Sequence, residues 1–142
     1  MSHIGSALFD SSIHLTNAWL KELTAEMGWL EDRGRAYHAL RVVLHALRDR
    51  LPLGEVADLA AQLPLIIRGI YYEGWRPAAA PVKYHTKEQF LKHVVEDFPD
   101  ALPGEVEAAV RAVFKVLSRR IGRGEIEDIR NSIPTRMRQL WD

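Results

Sequence analysis

Leu51-Pro-Leu-Gly-Glu-Val-Ala-Asp-Leu-Ala-Ala-Gln-Leu-Pro64 returns seventy residues later as Ile121-Gly-Arg-Gly-Glu-Ile-Glu-Asp-Ile-Arg-Asn-Ser-Ile-Pro134. Gly54, Glu55, Asp58 and Pro64 fall on Gly124, Glu125, Asp128 and Pro134, and the match extends both ways. Upstream, Arg41, Leu47 and Arg50 fall on Arg111, Leu117 and Arg120; downstream, Arg68 and Tyr71 fall on Arg138 and Trp141. Ten of the 37 pairs formed by residues 36–72 and 106–142 are identical, where ordinary residue frequencies give roughly two or three. Such a duplication predicts two tandem helical units with pseudo-twofold symmetry: residues 1–75, a Pro/Ala-rich linker at 76–85, and residues 86–142, forming one compact domain.

The fold class follows from periodicity. Ala36, Leu40, Val43, Leu44, Leu47 and Leu51 recur at three- and four-residue steps, as do Val106, Val110, Val113, Phe114, Leu117 and Ile121. That is the apolar stripe of an amphipathic helix. No segment alternates with period two for long enough to be a strand. The whole chain reads as all-α, about eight helices. Asp10, Ser11 and Ser12 are candidate caps for a first helix that Gly28 ends, and Asp32 for a second. Pro64 and Pro134 each open a short helix, and Thr86 with Gln89 forms a capping-box signature. Pro77 and Pro81 stiffen the linker.

Composition narrows the function classes. Lys+Arg and Asp+Glu both number 19, so the net charge is zero. A general nucleic-acid binder or membrane-surface protein is usually lopsided in charge. There is no cysteine, hence no disulfide, thiolate nucleophile or cysteine metal site, as suits a reducing cytoplasm. The first ten residues have neither a basic start nor a sustained apolar run, so no signal peptide is expected. No stretch approaches the roughly 20 apolar residues of a membrane span.

Catalytic grammar is missing. There is no Gly-x-Ser-x-Gly elbow, no phosphate loop and no His-Glu-x-x-His pattern. Neither a catalytic residue nor a metal or cofactor is expected. His38 and His45 lie seven positions apart, about 10.5 Å along a helix, too far to share one ion, and read as a solvated face.

Two residue groups remain as candidate sites. Arg50, Glu55, Asp58 and Arg68 reappear as Arg120, Glu125, Asp128 and Arg138. Carboxylates in a first helical turn complement the dipole, and neighbouring arginines could clamp them; the alternative is a pair of anion sites. Arg68, Tyr71, Tyr72 and Trp75 form an aromatic edge beside the linker, either a seam between the units or a binding surface. Trp19, Trp29 and Trp141 are read as caps on the core at helix ends. Arg111, Lys115, Arg119, Arg120, Arg123 and Arg130 partly line one face, which could touch phosphates, but no aromatic residues interleave them and a solvated face is favoured.

Arg35-Ala-Tyr-His-Ala-Leu-Arg-Val-Val-Leu-His-Ala-Leu-Arg-Asp-Arg-Leu51, Ala61-Gln-Leu-Pro-Leu-Ile-Ile-Arg-Gly-Ile-Tyr-Tyr-Glu-Gly-Trp-Arg-Pro77 and Thr16-Asn-Ala-Trp-Leu20 resemble the bacterial family called domain of unknown function 2267. The second half resembles it mainly through the Gly-Glu turn at Gly124 and through Ile133-Pro134. The resemblance covers nearly the whole chain and implies an all-helical cytoplasmic protein. It implies no activity and carries over no site residues. The expected function is a non-catalytic protein-interaction or regulatory module with a protein or peptide partner, and a homodimer is allowed. The alternatives are a small-molecule or anion sensor using the repeated arginines, and a weak nucleic-acid binder through the basic second half.

Overall fold

A computed structural model describes the backbone of residues 2–142 and the side chains of residues 5–142. Among the described residues there are eight α-helices and no strand: α1 (Ser2–Met27), α2 (Arg33–Arg50), α3 (Leu53–Gln62), α4 (Leu65–Tyr72), α5 (Lys87–Val95), α6 (Glu105–Arg120), α7 (Arg123–Ser132) and α8 (Thr135–Arg138). Short 3-10 turns cover Pro77–Ala79 and Gln139–Trp141.

The two striped helices are the centre of the molecule. In α2, Ala36, Ala39, Leu40, Val43, Leu44 and Leu47 are buried, and in α6 Val106, Ala109, Val110, Val113, Phe114 and Leu117. These stripes pack on each other and on α1 and α5, with α4 also against α2. Fully burying one such leucine contributes about 1.5–3 kcal/mol. Phe90 joins this core, and the Trp141 ring stacks on Phe114 with centroids 4.1 Å apart.

The repeated segments fold alike. Helices α3 and α7 start and end seventy positions apart, and α2 and α6 both end at the matched arginines Arg50 and Arg120. Burial also recurs position by position between residues 51–59 and 121–129.

Helix ends follow their chemistry. Asp32 accepts from the Arg35 N–H at 3.1 Å, and Thr86 and Gln89 form the reciprocal capping box. Gly28 adopts φ +67° just past α1, where a side chain would be strained.

Two expectations are corrected. Helix α1 begins before Asp10, so the Asp10–Ser12 stretch lies inside it and caps nothing at its own end. Ser12 is instead buried, and its Oγ accepts the Ile66 N–H at 3.2 Å. It thereby serves an early amide of α4, which has no side-chain cap of its own. Trp19 is not at a helix end but buried in the middle of α1. Residues 76–85 are fastened to α2: the Val82 N–H donates to the Asp49 carbonyl, Arg50 Nε donates to the Tyr84 carbonyl, and Tyr84 is buried.

Candidate functional site

The duplicated carboxylates are brought together, but not with their expected partners. Helices α3 and α7 pack side by side. Each carries its glutamate in the first turn, so Glu55 meets Glu125, its own counterpart in the repeat. Ligand oxygens of Glu55, Asp58 and Glu125 all lie within 4.8 Å of one another. Among the described ion pairs none reaches Glu55, Asp58, Glu125 or Asp128.

The arginines that were to clamp these carboxylates are spent elsewhere. Arg50 serves the Tyr84 carbonyl, and Arg120 Nε donates to Glu22 on α1 at 2.9 Å. Arg68 caps the end of α3 through the Ala60 and Leu63 carbonyls. Arg138 has a buried Nε with no acceptor. For Arg68, a guanidinium closing a helix C-terminus complements the orphan carbonyls there.

As two carboxylates, Glu55 and Glu125 each leave a buried Oε1 without a donor. One proton supplies it, because a protonated carboxyl donates to its neighbour. Burial raises the Glu125 pKa first, then the hydrogen bond with Glu55 and the negative charges of Glu55, Asp58 and Asp128, to about 8. Two close carboxyls cannot both ionise cheaply. Among the described residues this trio is also the one place where His, Cys, Asp or Glu ligand atoms gather closely enough to hold a divalent cation. Calcium takes six to eight oxygens, more than three residues offer singly.

The aromatic edge divides. Tyr71 is fully buried, its hydroxyl donating to the Val56 carbonyl at 2.9 Å. Tyr71 therefore belongs to the core and cannot form part of a surface. Tyr72 and Trp75 are half-buried, with ring centroids 5.5 Å apart, and pack against the core; Arg68 is also half-buried.

The histidine face is likewise not simply solvated. His45 donates Nε2–H to the Ile70 carbonyl at 2.7 Å, and desolvation lowers its pKa. His38 contacts the Asp97 carbonyl and packs edge-on to Phe98. It lines a cavity of about 210 Å³ with Trp29, Arg35, Asp100 and Glu105. There Arg35 lies over the Trp29 ring and pairs with Glu105 at 2.7 Å. Its carboxylates outnumber its arginine, so the cavity does not attract anions.

The basic stripe of α6 is largely neutralised within the fold. Arg119 and Arg120 pair with Glu22, and Arg119 and Lys115 with Glu26, both on α1. Arg111 pairs with Glu107, and Arg130 with Asp142.

Two features escaped the sequence reading. Arg48, only 4% exposed, donates through Nη1 to the Tyr71 and Glu73 carbonyls at 2.7 and 2.9 Å and through Nε to Asp49. A basic residue one turn from a helix end was a signal for such a cap. The second is an apolar surface. Residues 6–11 of α1 are all exposed, including Leu8 at 64% and Phe9 at 63%. Ile13 is 49% exposed, and beside Ser12 on α4 lie Leu65 at 59% and Ile66 at 38%.

The fold and these contacts define an all-helical protein in which several arginines and glutamates tie its helices together and one exposed face of α1 and α4 is apolar. It belongs to the family described as uncharacterized conserved protein (DUF2267), which matches residues 16–140. No curated protein matches the chain.

Proposed function

We propose that the protein is a non-catalytic interaction module that meets a protein partner through the α1–α4 face. The observation that supports this reading is the set Leu8, Phe9, Ile13, Leu65 and Ile66, exposed on the two helices that the Ser12–Ile66 hydrogen bond joins. At their observed exposures these side chains present roughly 500–600 Å², the upper end for the largest patch on an ordinary monomer, and such patches mark binding sites. The chain supplies its own comparison. Leu65 and Ile66 correspond to Thr135 and Arg136 in the second unit, which are exposed as well. The helical unit thus forms with polar residues at these positions, and the apolar pair in the first unit serves something outside it.

The two alternatives find less support. An anion sensor using the repeated arginines would need several of them free, whereas Arg50, Arg68 and Arg120 are engaged by carbonyls or a carboxylate and Arg138 alone keeps an Nε without an acceptor. A nucleic-acid contact would have to break the pairs that hold Arg119, Arg120 and Lys115 against α1. Among the described residues no helix is long and apolar enough to cross a membrane; a cysteine-free chain suits a reducing cytoplasm.

Affinity capture from the host with the wild type and with Phe9→Asp tests the reading. Partners retained by the wild type and lost by the folded variant are expected. Identical capture by both would contradict it.

A further inference from the structure

We infer that the occupant of the α1–α4 face is a second copy of this chain, docked about a twofold axis; this rests on the interaction reading above. Ser12 is the most N-terminal residue of α1 with a described hydrogen bond to the rest of the molecule. The helix continues for ten residues before it, to Ser2, about 15 Å at the usual rise. Its described side chains from Ser6 to Ser11 are all exposed and form no part of the core. This end of α1 is held only by continuation of the helix, since most helical stability in proteins comes from packing an apolar face, and here Leu8 and Phe9 pack on nothing described.

Charge favours the same sequence as partner. Between Ser2 and Leu20 the only Asp, Glu, Lys or Arg is Asp10. A partner chosen by charge would find a single carboxylate to read there. The chain as a whole carries no net charge, so two copies approach without the repulsion that keeps charged proteins apart. Leu8 lies four residues before Ser12 and Phe9 three, on the side of the helix that faces α4. The free part of α1 and the ledge formed by Leu65 and Ile66 are therefore one continuous strip.

Area is sufficient. A self-complementary contact buries the same patch twice, giving somewhat over 1,000 Å² in total, about the size a specific interface needs. In such a pair the Leu8–Phe9 turn of one copy lies across Leu65 and Ile66 of the other, and each copy covers the overhang of its partner. The second unit has no equivalent strip, because Thr135 and Arg136 stand where Leu65 and Ile66 do. The assembly stops at two.

Sedimentation equilibrium of the full chain at tens of micromolar tests this. The expected mass is twice the 16.2 kDa chain. Two variants should be monomeric while keeping wild-type helix content: Phe9→Asp, on a turn outside the core, and the double variant Leu65→Thr, Ile66→Arg, which installs the residues of the second unit. A dimer that survives both substitutions overturns the inference. So does a monomeric wild type, and binding of the apolar dye ANS then separates the cases. Dye binding lost in Phe9→Asp leaves the face free for a different protein, whereas no dye binding removes the interaction reading too.

Discussion

Glu55 and Glu125, seventy positions apart in the matching stretches of sequence, face each other where α3 packs on α7, together with Asp58. Arg35 and Glu105, also seventy positions apart but just before the matching segments, meet as an opposite-charge pair at 2.7 Å. At Glu55 and Glu125 a turn that recurs in the sequence becomes a contact between like charges.

That contact makes stability depend on pH. Folded Glu125 keeps its proton to about pH 8, whereas the unfolded carboxyl releases it near 4.5. Between these values the native state binds more protons, so stability falls as pH rises and levels off above about 8. Glu125 is only partly buried, so solvent screening limits the expected loss to about 1–2 kcal/mol. His45, with its lowered pKa, contributes the opposite slope below about 6.5. The comparison of wild type with Glu125→Gln cancels it. Urea melts from pH 5 to 9 should show the variant gaining on the wild type as pH rises; parallel curves would show that the pair shares no proton.

Arg48 is the buried charge on which the end of α4 depends. Arg48→Met should lower stability by about 3 kcal/mol or more, since the Tyr71 and Glu73 carbonyls and Asp49 lose their donor. Arg48→Lys should recover only part, because a single ammonium cannot reproduce the fork. Chemical denaturation of both variants checks the order.

Ser12→Ala should cost about 1 kcal/mol, the usual worth of a lost cap, by leaving the Ile66 amide unpaired. Amide exchange at Ile66 should rise more than exchange in α2 or α6. A uniform rise would mean that Ser12 supports the whole core rather than the start of α4.

The basic face of α6 should bind duplex DNA weakly, with a shallow salt dependence, as its charges are already matched by Glu22 and Glu26. Fluorescence anisotropy at low salt measures this. Tight binding with a steep salt slope would restore the nucleic-acid reading.

The helices were legible because burial in α2 and α6 imposes a period that any reader of Leu40, Leu44 and Leu47 can see. The caps at Asp32 and Thr86 were legible because they act within a few residues of themselves. What stayed hidden was tertiary. Arg50 and Arg68 stood near carboxylates in sequence, but backbone carbonyls closer in space took their donors. Tyr71 sat in an aromatic cluster that reads like a surface, yet its hydroxyl found a buried carbonyl. Leu8, Phe9 and Ile13 resemble ordinary core residues. Only the position of α1, overhanging the body before Ser12, reveals them as spare.

Hydrogen exchange at the amides of residues 6–11 tests most directly whether this face is covered in the working protein. Protection that grows with protein concentration in the wild type and disappears in Phe9→Asp is the predicted result. Rapid exchange at every concentration, the same in both proteins, would contradict it.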